Sequence, residues 1–203
     1  MGRDFLLSTP TARKLYREAA ETLPIIDYHC HISPKEIYED VHFDSISDVW
    51  LGGDHYKWRL MRACGIPEEK VTGSASPEEK FRAFASIMPC LMGNPVYHWS
   101  HLELQRGFDI HTPLTPETAD AVYREANEKL KSLSARKLME KFRVKAICTT
   151  DEPADDLHCH TLIAQDPTMK IRVLPAFRPD KAMFIEQDGF SDYLDQLQEV
   201  SGI

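Results

Sequence analysis

The sequence offers no neighbouring cysteine pairs, no long apolar run and no excess of positive charge, and each absence closes off a class of function. Its five cysteines, Cys30, Cys64, Cys90, Cys148 and Cys159, are odd in number, scattered and never in a Cys-x-x-Cys pair. Such a set suits reduced thiols, not a disulfide framework or a zinc knuckle. The apolar runs are a few residues each, whereas a bilayer-spanning helix needs roughly 20. The 32 acidic residues outnumber the 24 basic ones, and the formal charge of −8 repels phosphate backbones and anionic lipid heads. Nucleic acid and membranes are therefore not expected partners. Nor do the opening residues combine a basic start, an apolar stretch and a small-residue cleavage site, so a cytoplasmic location is expected. What the chain does have is 42% hydrophobic residues in 203, enough for the core of one domain or of part of a larger one.

Local patterning divides the chain in three. A helix is predicted from Pro10 to Thr22, because proline suits a first helical turn and Ala12, Leu15, Ala19 and Ala20 recur at helical spacing. The run Ile25 to His31 has strand length, and Ser33-Pro34-Lys35-Glu36 after it has the spacing of a capping box. Helical signals alone follow to about Phe142: Ile46 to Leu51, His55 to Cys64, Pro77 to Met88, Pro95 to Gly107 and Pro116 to Ser132. Strand signals resume at Val144 to Thr149 and at Arg172 to Phe177, each followed by a polar loop and then a helix, near Ala154 and near Phe190. The expected parts are thus residues 1–33, a helical insertion over 34–142, and strands two and three with their helices over 143–203. Strand, loop and helix in repetition predict parallel βα units of an α/β protein. Three such units fall short of the eight strands and roughly 250 residues of a closed (β/α)8 TIM barrel, so the chain is expected to be the amino-terminal part of one.

The sharpest chemical feature is His29-Cys30-His31 at the end of the first predicted strand, where residues i and i+2 share a face and can reach one metal ion. Asp27 on the same side could support them as a hydrogen-bond acceptor. The plain alternative is a chance His-x-His in a loop or a polar core pair. A second such triplet, His158-Cys159-His160, falls in a predicted helix, where i and i+2 diverge by roughly 200° and cannot share an ion. These two histidines are read as surface or partly packed, as are His42, His98, His101 and His111 in the helical block.

The strings Asp27 to Glu36 (DYHCHISPKE) and Gly53 to Arg62 (GDHYKWRLMR) resemble segments of the uronate isomerases, metal-dependent enzymes of the amidohydrolase superfamily. Glu79-Lys80-Phe81, Gly93 to Trp99, Leu102-Glu103-Leu104, Thr149 to Pro153 and Phe177 to Lys181 resemble further segments in the family order. Glu152 departs from the pattern, where a second aspartate is expected. The resemblance implies interconversion of D-glucuronate with D-fructuronate, and of D-galacturonate with D-tagaturonate, in hexuronate catabolism. It implies a divalent ion, zinc for preference, on His29 and His31, with a further aspartate ligand from a last barrel strand absent here. It also implies substrate contacts from His55 and Tyr56, with Tyr56 as proton carrier, a carboxylate or hydroxyl contact from Arg178, and a homo-oligomer. The 203 residues alone are expected to be inactive. On residue types alone, Gly53 to Arg59 can equally be a helix start with packed aromatics, and Arg178 can equally pair with Asp180. Two rivals stay open: a hydrolase of the same superfamily, whose metal activates water against an amide or ester, and a module that kept the fold without the chemistry.

Overall fold

The computed structural model describes residues 1–202, which form an α/β protein of eleven α-helices and three strands among the described residues. Most helices begin where a side chain can cap them. Thr9 Oγ1 accepts the Ala12 N–H at 3.0 Å, and Pro10 opens helix α1 (Pro10–Leu15). The predicted continuation to Thr22 instead widens into a π-helical turn over Tyr16–Ala20, closed by the Glu21 N–H on the Tyr16 carbonyl. After strand β1 (Ile25–Asp27) the Ser33–Glu36 capping box forms as expected, with both reciprocal bonds, and starts α2 (Pro34–Glu39). Then come α3 (Ile46–Leu51), α4 (His55–Ala63), α5 (Pro77–Ser86), α6 (Pro95–Phe108), α7 (Ala119–Leu130) and α8 (Ala135–Lys141). The chain closes with β2 (Val144–Cys148), α9 (His158–Gln165), β3 (Arg172–Leu174), α10 (Asp180–Met183) and α11 (Phe190–Ser201).

These elements group into two compact units, residues 1–23 with 42–141, and residues 24–41 with those from Phe142 onward. The grouping differs from the expected parts at two places. Residues 1–23 join the helical block, where Phe5 meets the His98 ring at 5.0 Å, and α2 joins the sheet-bearing unit, where it packs on α9. The helical unit is organised around Phe81 and Phe84, both fully buried. Trp50 of α3 stacks on Phe81 with ring centroids 6.0 Å apart, and Tyr123 of α7 approaches it at 5.2 Å. Each such buried phenyl stabilises the unit by about 1.5–3 kcal/mol.

In the other unit the three strands form one parallel sheet in the order β1-β2-β3. Its strands are shorter than their apolar runs predict. Asp27 ends β1 because its carboxylate takes the N–H of His29 at 3.3 Å, turning the backbone out of the ladder by the local bonding at which aspartate excels. At β3 the Ala176 N–H turns to the Asp151 carboxylate at 3.1 Å, and the strand ends at Leu174. Pairing resumes beyond each stop. Cys30 N–H reaches the Cys148 carbonyl at 2.9 Å, and Asp151 bridges Phe177 in parallel. The helix expected near Ala154 begins later, at His158, since Asp156 takes the His158 N–H and Asp155 takes that of Glu152, spending these residues on turns.

Candidate active site

A parallel sheet sets the carboxyl ends of its strands side by side, so the segments after β1, β2 and β3 lie along one edge of the sheet-bearing unit. The first carries His29 and His31. Both side chains are exposed, their ring centroids are 5.0 Å apart at 80°, and the two Nε2 atoms are 3.2 Å apart. The convergence comes from the Asp27 turn and not from unbroken strand alternation, because the ladder has ended before His29. Asp27 thereby acts on the backbone of His29. Cys30, between them, is half-buried. Burial pushes its thiol up to about 11, with Asp27, Cys148 and Asp151 adding to the rise, so it stays protonated at neutral pH.

The 3.2 Å separation suits a hydrogen bond when one ring carries Nε2–H, and it suits a shared ion equally well. Two imidazole nitrogens at about 2.05 Å on a tetrahedral zinc stand roughly 3.3 Å apart. The pair therefore fits two adjacent ligand positions. Among the described residues no group of three or more His, Cys, Asp or Glu side chains is arranged to hold a metal, so the chain offers two donors at this place.

Arg178 follows the end of β3. Its Nε donates to Asp180 Oδ2 at 2.6 Å, the ion pair that residue types alone allowed, and about half of each side chain remains exposed. Its backbone N–H donates to the Asp151 carbonyl at 3.0 Å. The segment after β2 holds a buried polar cluster that the sequence patterning did not single out. Thr149 Oγ1 lies 2.7 Å from Asp151 Oδ2 and 2.8 Å from His160 Nε2, and all three residues are buried. His158, by contrast, is exposed, so the second histidine triplet diverges as its helical period predicts. His160 is buried, not at the surface or partly packed as expected, and so is His101 of α6. The helix of His160 faces the sheet, and only the polar i, i+2 pair Thr149 and Asp151 at a strand end hinted at a partner for it.

His55 and Tyr56 belong to the helical unit, in the first turn of α4. Asp54 caps that turn, accepting the N–H groups of Tyr56 and Lys57 at 2.9 and 3.1 Å and pairing with Lys57 Nζ at 2.8 Å. Burial alone would raise the Asp54 carboxyl, but the hydrogen bond and charge of Lys57 outweigh it and hold the group below its ordinary value. Lys57 is almost entirely buried and lies 5.6 Å from the centre of the Trp50 ring. Burial raises the nearby Glu103 carboxyl, a rise that Lys57 opposes. Tyr56 is 66% exposed with the Arg59 guanidinium over its ring, and His55 packs edge-on against Trp58.

A family model described as glucuronate isomerase matches residues 1–203. Uronate isomerases from Lachnoclostridium phytofermentans and Bacillus velezensis are 53% and 54% identical over the whole of this chain, which spans 44% of their length. The crystal structure of uronate isomerase from Thermotoga maritima superposes with a TM-score of 0.94 at 38% identity, covering all of this chain and 44% of that one. Glucuronate isomerase from Caulobacter crescentus gives 0.90 at 26% identity, with 45% of that chain covered. With a match along its whole length, this chain belongs to the glucuronate isomerase family.

Proposed function

We propose that this chain forms the first part of a uronate isomerase that interconverts D-glucuronate with D-fructuronate, and D-galacturonate with D-tagaturonate. The observation that carries the reading is the His29–His31 pair, its Nε2 atoms 3.2 Å apart beyond the carboxyl end of a parallel strand. Catalytic groups of (β/α)8 barrels come from that end of the strands. The barrel belongs to the same proposal. Parallel sheets are covered on both faces, whereas Ile26 on edge strand β1 is 67% exposed, the kind of surface that further strands and helices would cover. A cytoplasmic, self-associating enzyme completes the reading.

In this proposal His29 and His31 hold a divalent ion, with zinc favoured by two imidazole donors, and an aspartate from elsewhere in the enzyme joins them. When bound, the ion supplies Lewis-acid polarisation of the sugar oxygen at which negative charge develops. The isomerisation removes the C2 proton as the C1 carbonyl oxygen gains one. The resulting enediol then loses the O2 proton and takes a proton at C1, so no atom is gained or lost overall. Tyr56 carries the proton and His55 contacts the sugar, roles assigned by the resemblance and supported by the exposed place of both side chains at a capped helix start. Arg178 has one of its five N–H donors on Asp180, and the others are left to grip the carboxylate or a hydroxyl pair of the substrate.

The test is ketose formation from D-glucuronate by the natural full-length product, run beside a panel of amides and lactones and repeated after chelation and zinc return. Turnover that chelation abolishes and zinc restores is the expected result. Hydrolysis of the panel without ketose formation would transfer the site to the hydrolase reading, and no turnover of either kind would make the chain an inactive module.

A further inference from the structure

The buried cluster behind the sheet edge has no part in the roles above, and its hydrogen bonds lead to Arg178. Asp151 is 6% exposed. Its carboxylate Oδ2 accepts the Thr149 hydroxyl at 2.7 Å and the Ala176 N–H at 3.1 Å. Its own N–H donates to the Ala176 carbonyl at 3.2 Å, and its carbonyl accepts the Arg178 N–H at 3.0 Å. The ladder of β3 stops at Leu174 because the Ala176 N–H turns to the Asp151 carboxylate, and this one residue of the neighbouring segment takes over the pairing of positions 176 to 178. An aspartate suits that place. Its backbone makes the parallel bridge while its side chain supplies the acceptor for the Ala176 N–H.

The carboxylate is itself held. With the proton on Nε2, His160 donates to Thr149 Oγ1 at 2.8 Å, and Thr149 passes its own hydroxyl hydrogen to Asp151, so each polar atom of the chain is used in one direction. His160 sits on α9. The helix that follows β2 is thereby tied to the segment that follows β3.

We infer that the Thr149–Asp151–His160 cluster is a positioning device for Arg178, setting the backbone from which its guanidinium reaches the substrate. This rests on the functional reading above, since it assigns Arg178 a sugar-acid contact. The residues never touch substrate in this account; they act through Arg178 alone.

A kinetic cycle in the natural full-length enzyme tests it. Asp151→Ala is expected to lower kcat/KM for D-glucuronate by about 100-fold, the scale of a catalytic group displaced by roughly 1 Å, with a raised KM. Asp151→Asn, whose carboxamide oxygen accepts the same two hydrogen bonds, is expected to stay within about fivefold of wild type, because geometry and not charge is required. In an Arg178→Ala background, Asp151→Ala should cost no more than about twofold further, because the two residues act as one unit, whereas independent sites would show the full loss again. A purely structural role would not produce that silence. If Asp151→Ala yields no folded protein, Thr149→Val, which removes the hydroxyl at nearly constant size, carries the same expectation. Loss that is as large with Arg178→Ala as without it overturns the inference while leaving the isomerase reading intact. A wild-type enzyme with no uronate turnover overturns the isomerase reading and this inference with it.

Discussion

Replacing Asp54 by Asn and by Ala separates the two tasks this carboxylate performs at the start of α4. Asparagine is as good a helix cap as aspartate, whereas alanine loses about 1 kcal/mol of capping. Both remove the charge facing Lys57. The Lys57 side chain is only 10% exposed and that of Asp54 31%, so the pair is mostly shielded from water. Leaving one buried charge unpaired costs about 3–5 kcal/mol. Glu103 also faces Lys57 and would compensate in part, which brings the expected cost of Asp54→Asn down to about 2 kcal/mol and that of Asp54→Ala to about 3. The sign with pH follows from a carboxyl held below its ordinary value near 3.8 when folded. The contribution is fully present above that value and is lost as pH falls through the lower folded pKa, so wild type and Asp54→Asn should converge in acid. Hydrogen exchange of the α4 amides in the full-length protein reads this locally. Equal protection in wild type and both variants at neutral pH would refute the role given to the pair, and a deficit in Asp54→Asn that persists at low pH would refute the charge argument.

Phe81→Ala, which empties the space against Trp50 and Tyr123, should destabilise the helical unit by about 3–5 kcal/mol. Urea unfolding followed by tryptophan fluorescence checks it, and a loss below about 1 kcal/mol would mean that the site collapses. His101 is buried, donating from Nδ1 to the Tyr97 carbonyl at 2.7 Å and accepting the Leu114 N–H on Nε2 at 3.0 Å, so only the neutral ring satisfies both. Burial lowers its pKa from the ordinary 6.5. The stability it confers is therefore full above that value and declines as pH falls from there toward the lower folded pKa, where the unfolded chain binds the proton first. An imidazole that titrates at or above 6.5 by NMR would contradict this.

Much of the local structure was legible in the sequence, because it depends on residues close along the chain. Ser33 with Glu36, and Pro34 between them, made the capping box wherever the rest of the chain went, and the order of strand, loop and helix required a parallel sheet. The His29-Cys30-His31 spacing announced a convergent pair, although the Asp27 turn and not strand alternation brings the rings together, and the helical period separated His158 from His160. The strand ends were less legible. Ile25 to His31 reads as one apolar-to-polar run, yet an aspartate able to bond its own backbone two residues on stopped the ladder at Asp27. The polar cluster was barely legible, since Thr149, Asp151 and His160 become partners only when α9 lies against the sheet, and the Ala176 N–H finds the Asp151 carboxylate only when the segments after β2 and β3 lie side by side. Hydrogen bonds between positions 11 and 25 residues apart carry no spacing signature. Side-chain chemistry and short-range geometry were written in the sequence; which buried donor meets which acceptor was decided by tertiary packing, where an unsatisfied polar group costs too much to be left alone.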